Sequence, residues 1–431
     1  MKYLIIIIFV ASYILFFALP KRRAITAISA ALILSFMGAV TGTFTLAQAF
    51  RAINWNVMGI FIGTLFLADI FTYSRAPAVL AENIVRKTHH AGVALLGICV
   101  LSSIISAFVE NVATVLIVAP IALAICKKIK VSPVAPIIGI AISSNLQGTA
   151  TLIGDPPSML LAGYAKLSFN DFFIYRGRPG IFFAVQVGAV FSFLALWMPF
   201  RKYKQNVQIE KVERVRYWTP VTLMLAMILL LAISSFINPE FSEYAGLICL
   251  ILGILGLLWF IVDRKKSMGQ FIKKLDWDTA FFLIGVFILV GSLEHYGWIE
   301  RFAGGLANMI GEKRLLAFSI IVLGSVAISA VVDNVPYLAA MIPVAQRLAD
   351  GLEAAGATGF ENRTLLMFGL LVGSCLGGNI TPVGAAANIV GAGILKKRGH
   401  DLGFWEFVKI GLPFTLAAVF PAAIFLWLVW A

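Results

Sequence analysis

Apolar residues run along this chain in long blocks separated by short polar segments, the pattern of helices surrounded by lipid or by other helices rather than of half-exposed strands. Runs long enough to cross about 30 Å of hydrocarbon fall near residues 3–19, 24–41, 55–73, 133–165, 180–199, 219–237, 241–262, 277–293, 363–395 and 405–430. They predict about ten transmembrane helices. Two further apolar stretches, 91–126 and 315–348, are each split by a polar pair, Glu110 with Asn111 in one and Asp333 with Asn334 in the other. Beyond each pair the second arm is only about fourteen residues long, short of the roughly 20 a crossing helix needs, which predicts two re-entrant hairpins. The expected fold class is an all-α polytopic membrane protein.

The pattern repeats. Ser106, Ala107, Val109, Asn111, Val112, Pro120 and Ala122 recur at constant spacing as Ser329, Ala330, Val332, Asn334, Val335, Pro343 and Ala345, with Asp333 answering Glu110. Upstream, Trp55, Ile62, Gly63 and Leu67 match Trp277, Ile284, Gly285 and Leu289. Downstream, Ser144, Gly148, Thr151, Gly154 and Gly163 match Ser374, Gly378, Thr381, Gly384 and Gly393. Collinear blocks of this kind indicate internal duplication. The expected layout is an extra N-terminal span (1–23), a first repeat (24–200, with hairpin 91–126 and broken helix 133–165), a basic linker and extra span (201–240), and a second repeat (241–431, with hairpin 315–348 and broken helix 363–395).

Composition agrees with a chain that lives in lipid: 60% hydrophobic residues and only 13% charged ones leave too little polar surface to clothe a soluble globule. The net charge of +13 comes from short Lys/Arg clusters between apolar runs, which argues against a nucleic-acid partner and for topology signals. Placing Lys21, Arg22 and Arg23 inside also places Arg86 with Lys87, Lys127 to Lys130, Arg201 to Arg216, Arg264 to Lys274 and Lys396 to Arg398 inside, with both termini outside. The two hairpins then open to opposite sides, so the repeats are expected to be inverted in the membrane plane, an architecture of transporters. The four cysteines all sit in apolar segments without CxxC spacing and read as small buried hydrophobes.

Chemistry is expected where helices are interrupted, because backbone freed from its hydrogen bonds at membrane depth is tolerated only inside protein or beside a wet cavity. The breaks are the two hairpin tips, Gly148 to Pro157, and Gly377 to Gly384. Glu110, Asp155 and Asp333 are the candidate ion-carrying carboxylates, since an ionisable group at that depth is costly and marks an ion path. A structural alternative stands beside each: Asn111 and Asn334 could cap the second hairpin arms, and Asp155 before Pro156 could cap the half-helix that follows. Asn111, Gly148, Thr149, Thr151, Asn334, Asn379 and Thr381 complete the candidate ion- and substrate-binding set, with Na+ placed at Glu110, Asn111, Asp155, Asp333 and Asn334. His89 and His90, at a predicted boundary, read as interfacial anchors. No cofactor is expected beyond the coupling ion, H+ or Na+.

Four segments carry a family resemblance: SAFVENVATVLIVAP at 106–120, GTATLIGDPPS at 148–158, SAVVDNVPYLAAMIPV at 329–344 and GGNITPVGAAAN at 377–388. Over essentially its whole length the chain resembles the ion transporter superfamily of arsenite permeases, NhaD-type sodium/proton antiporters, the P protein, and citrate and dicarboxylate carriers. The resemblance implies an elevator mechanism and a homodimer in a prokaryotic-type inner membrane. It also implies ion handling by Glu110, Asn111, Asp155, Asp333 and Asn334. Carboxylate carriers of the superfamily have Ser, Asn and Thr at each tip. Here an acid replaces the first and Val112 or Val335 the last, which favours proton- or Na+-coupled antiport over the alternative of Na+-coupled citrate or other anion symport. A passive channel is the weaker reading. No GxxxxGK[ST], HExxH or GxSxG stretch supports an ATP-driven pump or an enzyme.

Overall fold

The computed structural model describes residues 2–19, 22–88, 90–206, 214–237, 244–264, 269, 272–273, 275–354 and 359–431. Lys21, His89 and parts of the basic loops 201–216 and 264–274 lie outside these residues. Nineteen α-helices and one short antiparallel ribbon, Ile174–Tyr175 with Arg178–Pro179, make up the described chain. Eight helices among the described residues are long and apolar enough to cross a membrane.

Four helices form the packing frame beside the site: α2 (Arg23–Thr41), α4 (Trp55–Tyr73), α12 (Ala245–Arg264) and α13 (Trp277–His295). α4 packs chiefly on α12, and α2 on α13, so each half's long helix lies against a helix of the other half. Small residues permit this. A Cβ on Gly285 would lie 2.6 Å from the Ala27 backbone, and the matching Gly63 meets the backbone of Cys249 as closely, the close approach on which helix association in lipid depends. Both long helices start alike: Asn54 accepts from Val57 N at 3.1 Å and Asp276 from Thr279 N at 3.1 Å, capping α4 and α13. The matching Trp55 and Trp277 tie back to the preceding segment, donating to Phe50 O and Ile272 O.

The first split stretch becomes α6 (Ala91–Ser106) and α7 (Asn111–Lys128), the second α15 (Arg314–Ser329) and α16 (Asn334–Ala354). Their second arms are longer than the apolar pattern predicts, 18 and 21 residues. α7 runs on through Lys127 and Lys128, which favour a helix C-terminus, and α16 continues past Arg347, which pairs with Glu300 at 3.2 Å. Each pair is preceded by an amphipathic helix that the apolar pattern did not mark: α5 (Ala76–Lys87), buried at Ala76, Pro77, Ala81 and Val85, and α14 (Trp298–Ile310), buried at Ile299, Ala303 and Ile310.

The broken helices are α8 (Val134–Gly148) with α9 (Pro156–Ala165) and α17 (Gly359–Gly377) with α18 (Ala386–Lys397). At 1.5 Å per residue the 10-residue α9 is about 15 Å long and the 12-residue α18 about 18 Å, too short to cross alone. α10 (Ile181–Phe200) and α19 (Phe404–Trp430) pack on one another and flank the broken helices.

Candidate functional site

The interruption at residues 149–155 presses directly against the first hairpin tip. A Cβ on Gly154 would lie 2.6 Å from Gly148 O and 2.8 Å from Ser106 O, so only glycine fits. The Thr151 hydroxyl donates to Ala107 O. The second half repeats both features: Thr381 donates to Ala330 O, and a Cβ on Gly384 would lie 2.6 Å from Gly378 O and 2.8 Å from Ser329 O. Ser158 donates to Gly148 O at 3.2 Å, and at the matching position Asn388 donates to Gly378 O at 2.8 Å. These bonds occupy carbonyls that the ends of the hairpin arms and of the broken helices leave without an intrahelical partner.

Asp155 sits at the N-cap of α9, yet its side chain makes no capping bond. Its Oδ2 instead accepts from Asn111 Nδ2 at 2.8 Å, and the residue is 4% exposed. The capping alternative therefore fails for Asp155. It fails for Asn111 too, because Glu110 caps α7, its Oε2 accepting from Ala113 N at 3.0 Å. Asn111 is held for other work: its Oδ1 accepts from Ser106 Oγ at 2.7 Å, and its Nδ2 also donates to Asn145 Oδ1 at 3.1 Å. In the second half Asp333, not Asn334, accepts from the backbone, taking Val335 N at 3.0 Å.

Asn145 joins the halves. Its Nδ2 donates to Asn379 Oδ1 at 2.9 Å and to Asn388 Oδ1 at 3.0 Å, so one amide on α8 ties the first tip to the second broken helix. All three amides are almost fully buried. Around them Asn379 Nδ2 and Ser329 Oγ are buried with no hydrogen-bond partner among the described residues.

Arg23 closes the other side. Read in the sequence as part of a topology cluster, it reaches inward, with its side chain 15% exposed. Nη1 meets Asp333 Oδ2 at 2.7 Å, Nη2 donates to Thr279 Oγ1 at 2.8 Å, and Nε meets Asp278 Oδ2 at 3.3 Å. The guanidinium also lies 5.1 Å from the centre of the Phe282 ring. A cavity of about 20 Å³, room for about one water or one small ion, is lined by Arg23, Glu110, Asn111, Asn145, Asp155 and Thr279 together with Asp333, Asn334, Val335 and the start of α18.

Of the candidates read from sequence, Glu110, Asn111, Asp155, Asp333 and Asn334 thus share one cavity. They do not form one chelating cluster: no group of three His, Cys, Asp or Glu side chains converges among the described residues. Gly148 backs Asn111, and Asn379 accepts from Asn145. Thr149 donates to Asn145 O at 3.1 Å, so its hydroxyl, like those of Thr151 and Thr381, already serves the backbone. Arg23, Asn145 and Asn388 were missed. The signal for Asn145 and Asn388 was an amide inside an apolar helix beside a break, a position where polar groups need partners.

Four-way convergence of interrupted helices on a small polar cavity is an arrangement transporters use, and comparison with known proteins makes the assignment. The sequence profile of the CitMHS family, described as citrate transporter, matches residues 13–360. The chain belongs to this citrate transporter family. It is an integral membrane transporter, and the family and relatives are transporters rather than enzymes. A 46 kDa membrane protein of Mycobacterium leprae is 27% identical over 434 residues, covering 99% of both chains. An uncharacterized transporter of Synechocystis is 26% identical, covering 98% of this chain and 96% of its own. The human P protein is 25% identical over 87% of this chain but only 53% of its own length. Among solved structures, the YdaH transporter of Alcanivorax borkumensis superposes with a TM-score of 0.60 at 15% identity, covering 91% of this chain and 88% of that one. MtrF of Neisseria gonorrhoeae, described within a class of antimetabolite efflux pumps, reaches 0.52 at 13% identity, covering 91% and 83%. These two likenesses concern the fold.

Proposed function

We propose that this family member is a secondary active transporter coupled to H+ or Na+, with Asp155 as the residue that takes up and releases the coupling ion. The observation that carries the reading is the Asn111–Asp155 bond. A carboxylate placed to cap its helix is drawn off that duty and held by an amide from the opposing hairpin, at a cavity with room for about one ion. A carboxylate so enclosed is costly as a bare anion and gains from a proton or cation. Glu110 lies on the same cavity. With the threonine hydroxyls committed to carbonyls, Na+ would draw its remaining ligands from amide oxygens and from backbone carbonyls at the breaks.

Antiport by elevator-type movement of the hairpins and broken helices is the primary reading, and the acidic tips support it. Symport of citrate or another carboxylate with the coupling cation is the second, favoured by the family match. We also assign the chain to a prokaryotic-type inner membrane as a homodimer, with basic loops cytoplasmic and both termini outside, on the strength of the charge pattern and the superfamily resemblance.

The test is flux in proteoliposomes under imposed pH and Na+ gradients, with citrate and arsenite among the candidate substrates. Wild-type protein should show gradient-driven flux, and Asp155→Asn combined with Glu110→Gln should abolish it. Undiminished flux in that variant overturns the assignment.

A further inference from the structure

We propose that Arg23 is a built-in cation that holds Asp333 in the conformation seen here, and that Arg23 and the coupling cation occupy Asp333 alternately. The inference rests on the cation-coupled reading above. It assigns a role to a residue outside both hairpins and both broken helices.

The three cavity carboxylates have different partners. Asp155 is held by an amide, and Glu110 by the amide of its own helix. Asp333 meets a full positive charge from α2 at 2.7 Å, with the two side chains only 15% and 18% exposed. Removing one partner of a pair this enclosed leaves a charge without compensation, so Asp333 leaves Arg23 only when a proton or cation replaces it. Arg23 is under no such constraint. Asp278 at 3.3 Å, Thr279 at 2.8 Å and the Phe282 ring hold it to α13, and Asp278 stays behind as its counter-charge. The second tip is tethered a second time by the extra N-terminal helix α1 (Lys2–Ala18), whose Tyr13 hydroxyl donates to Pro336 O at 2.6 Å.

The chemical consequence is competition. A small cation entering the cavity would displace the guanidinium from Asp333 and free the second tip from α2. With no cation bound, the ion pair holds the tip in place and prevents movement of an empty site. Arg23 would thereby enforce coupling, acting through Asp333 as a positioning residue.

Full-length protein in proteoliposomes, probed with radioactive Na+ and a lumenal pH dye, tests this. Arg23→Gln should lower the half-saturating concentration of the coupling cation by roughly tenfold, within the usual range of coupling between sites, and should admit cation leak without counter-substrate. Arg23→Lys should remain close to wild type. In Arg23→Cys, an aminoethyl methanethiosulfonate should restore wild-type half-saturation and an uncharged methyl analogue should not, the native cysteines all being buried. If Arg23→Gln does not assemble, Asp333→Asn reads the competition from the other partner and should raise half-saturation at least roughly tenfold. Unchanged half-saturation and no leak in these variants, with coupled flux intact in wild type, overturn the role of Arg23 alone. Absence of any cation-dependent flux in wild type overturns the function assignment and this inference with it.

Discussion

Thr151 and Thr381, at matching positions in the two halves, make the same bond: each hydroxyl donates to the carbonyl that ends the hairpin arm opposite it, Ala107 O for the first and Ala330 O for the second. The chain conserves between its halves the bonds that hold a broken helix against a hairpin tip, and it varies the groups that face the cavity. Asp155 in one half is answered by Ala385 in the other, and Ser158 by Asn388.

The clamp predicts a stability effect. Thr151→Val and Thr381→Val keep shape but leave a buried carbonyl unpaired, costing about 1–3 kcal/mol each. Both should lower the thermal midpoint of detergent-solubilised protein, followed by tryptophan fluorescence, by comparable amounts. An unchanged midpoint for either would show that its carbonyl finds water instead.

Close backbone approach predicts an all-or-none outcome. Gly154→Ala and Gly384→Ala would each place a methyl 2.6 Å from a carbonyl oxygen that has nowhere to move, and neither should yield monodisperse protein on size-exclusion chromatography. Gly393→Ala, with nothing within 4 Å of the added carbon on α18, should express normally. It should be slightly more stable, by up to about 1 kcal/mol, because alanine favours helix.

The amide hub predicts coupled losses. Asn145→Ala strands the side-chain oxygens of Asn379 and Asn388 and takes from Asn111 Nδ2 one of its two acceptors, leaving Asp155, at about 1–3 kcal/mol for each group left unpaired. Both thermal stability and gradient-driven flux should fall sharply. Ser192→Ala, which loses only a bond to Ala189 O within its own helix, serves as the control and should change neither by much.

The Asn111–Asp155 bond predicts a separation of folding from function. In Asp155→Asn the new side-chain oxygen can still accept from Asn111, so the thermal midpoint should stay within a few degrees of wild type while coupled flux disappears. Asp155→Ala should lose both. Coupled flux surviving in Asp155→Asn would move the ion-carrying role to Glu110 or Asp333.

Much of this was legible before any coordinates. Long apolar runs mark helices because lipid obliges each segment to satisfy its backbone internally, and that demand is local to the segment. Breaks at Gly148 to Pro157 and Gly377 to Gly384 showed for the same reason, since glycine and proline act on their own backbone. The repeat identified Thr151 with Thr381 and Gly154 with Gly384 in advance of their shared geometry. Helix ends past the apolar stretch, as in α7 and α16, were not legible, because lysine or glutamate in a last turn carries no apolar signal.

The sequence by itself determined the helices, their interruptions and the carboxylates that sit at them. Only the tertiary structure decided what each carboxylate meets: Asp155 an amide from another hairpin, Glu110 its own helix, and Asp333 a guanidinium supplied from α2. Periodicity along a chain reports which face of a helix is apolar. A hydrogen bond or ion pair depends on where two distant segments come to lie within about 3 Å of each other, and nothing in the spacing of Arg23 and Asp333 along the chain encodes that.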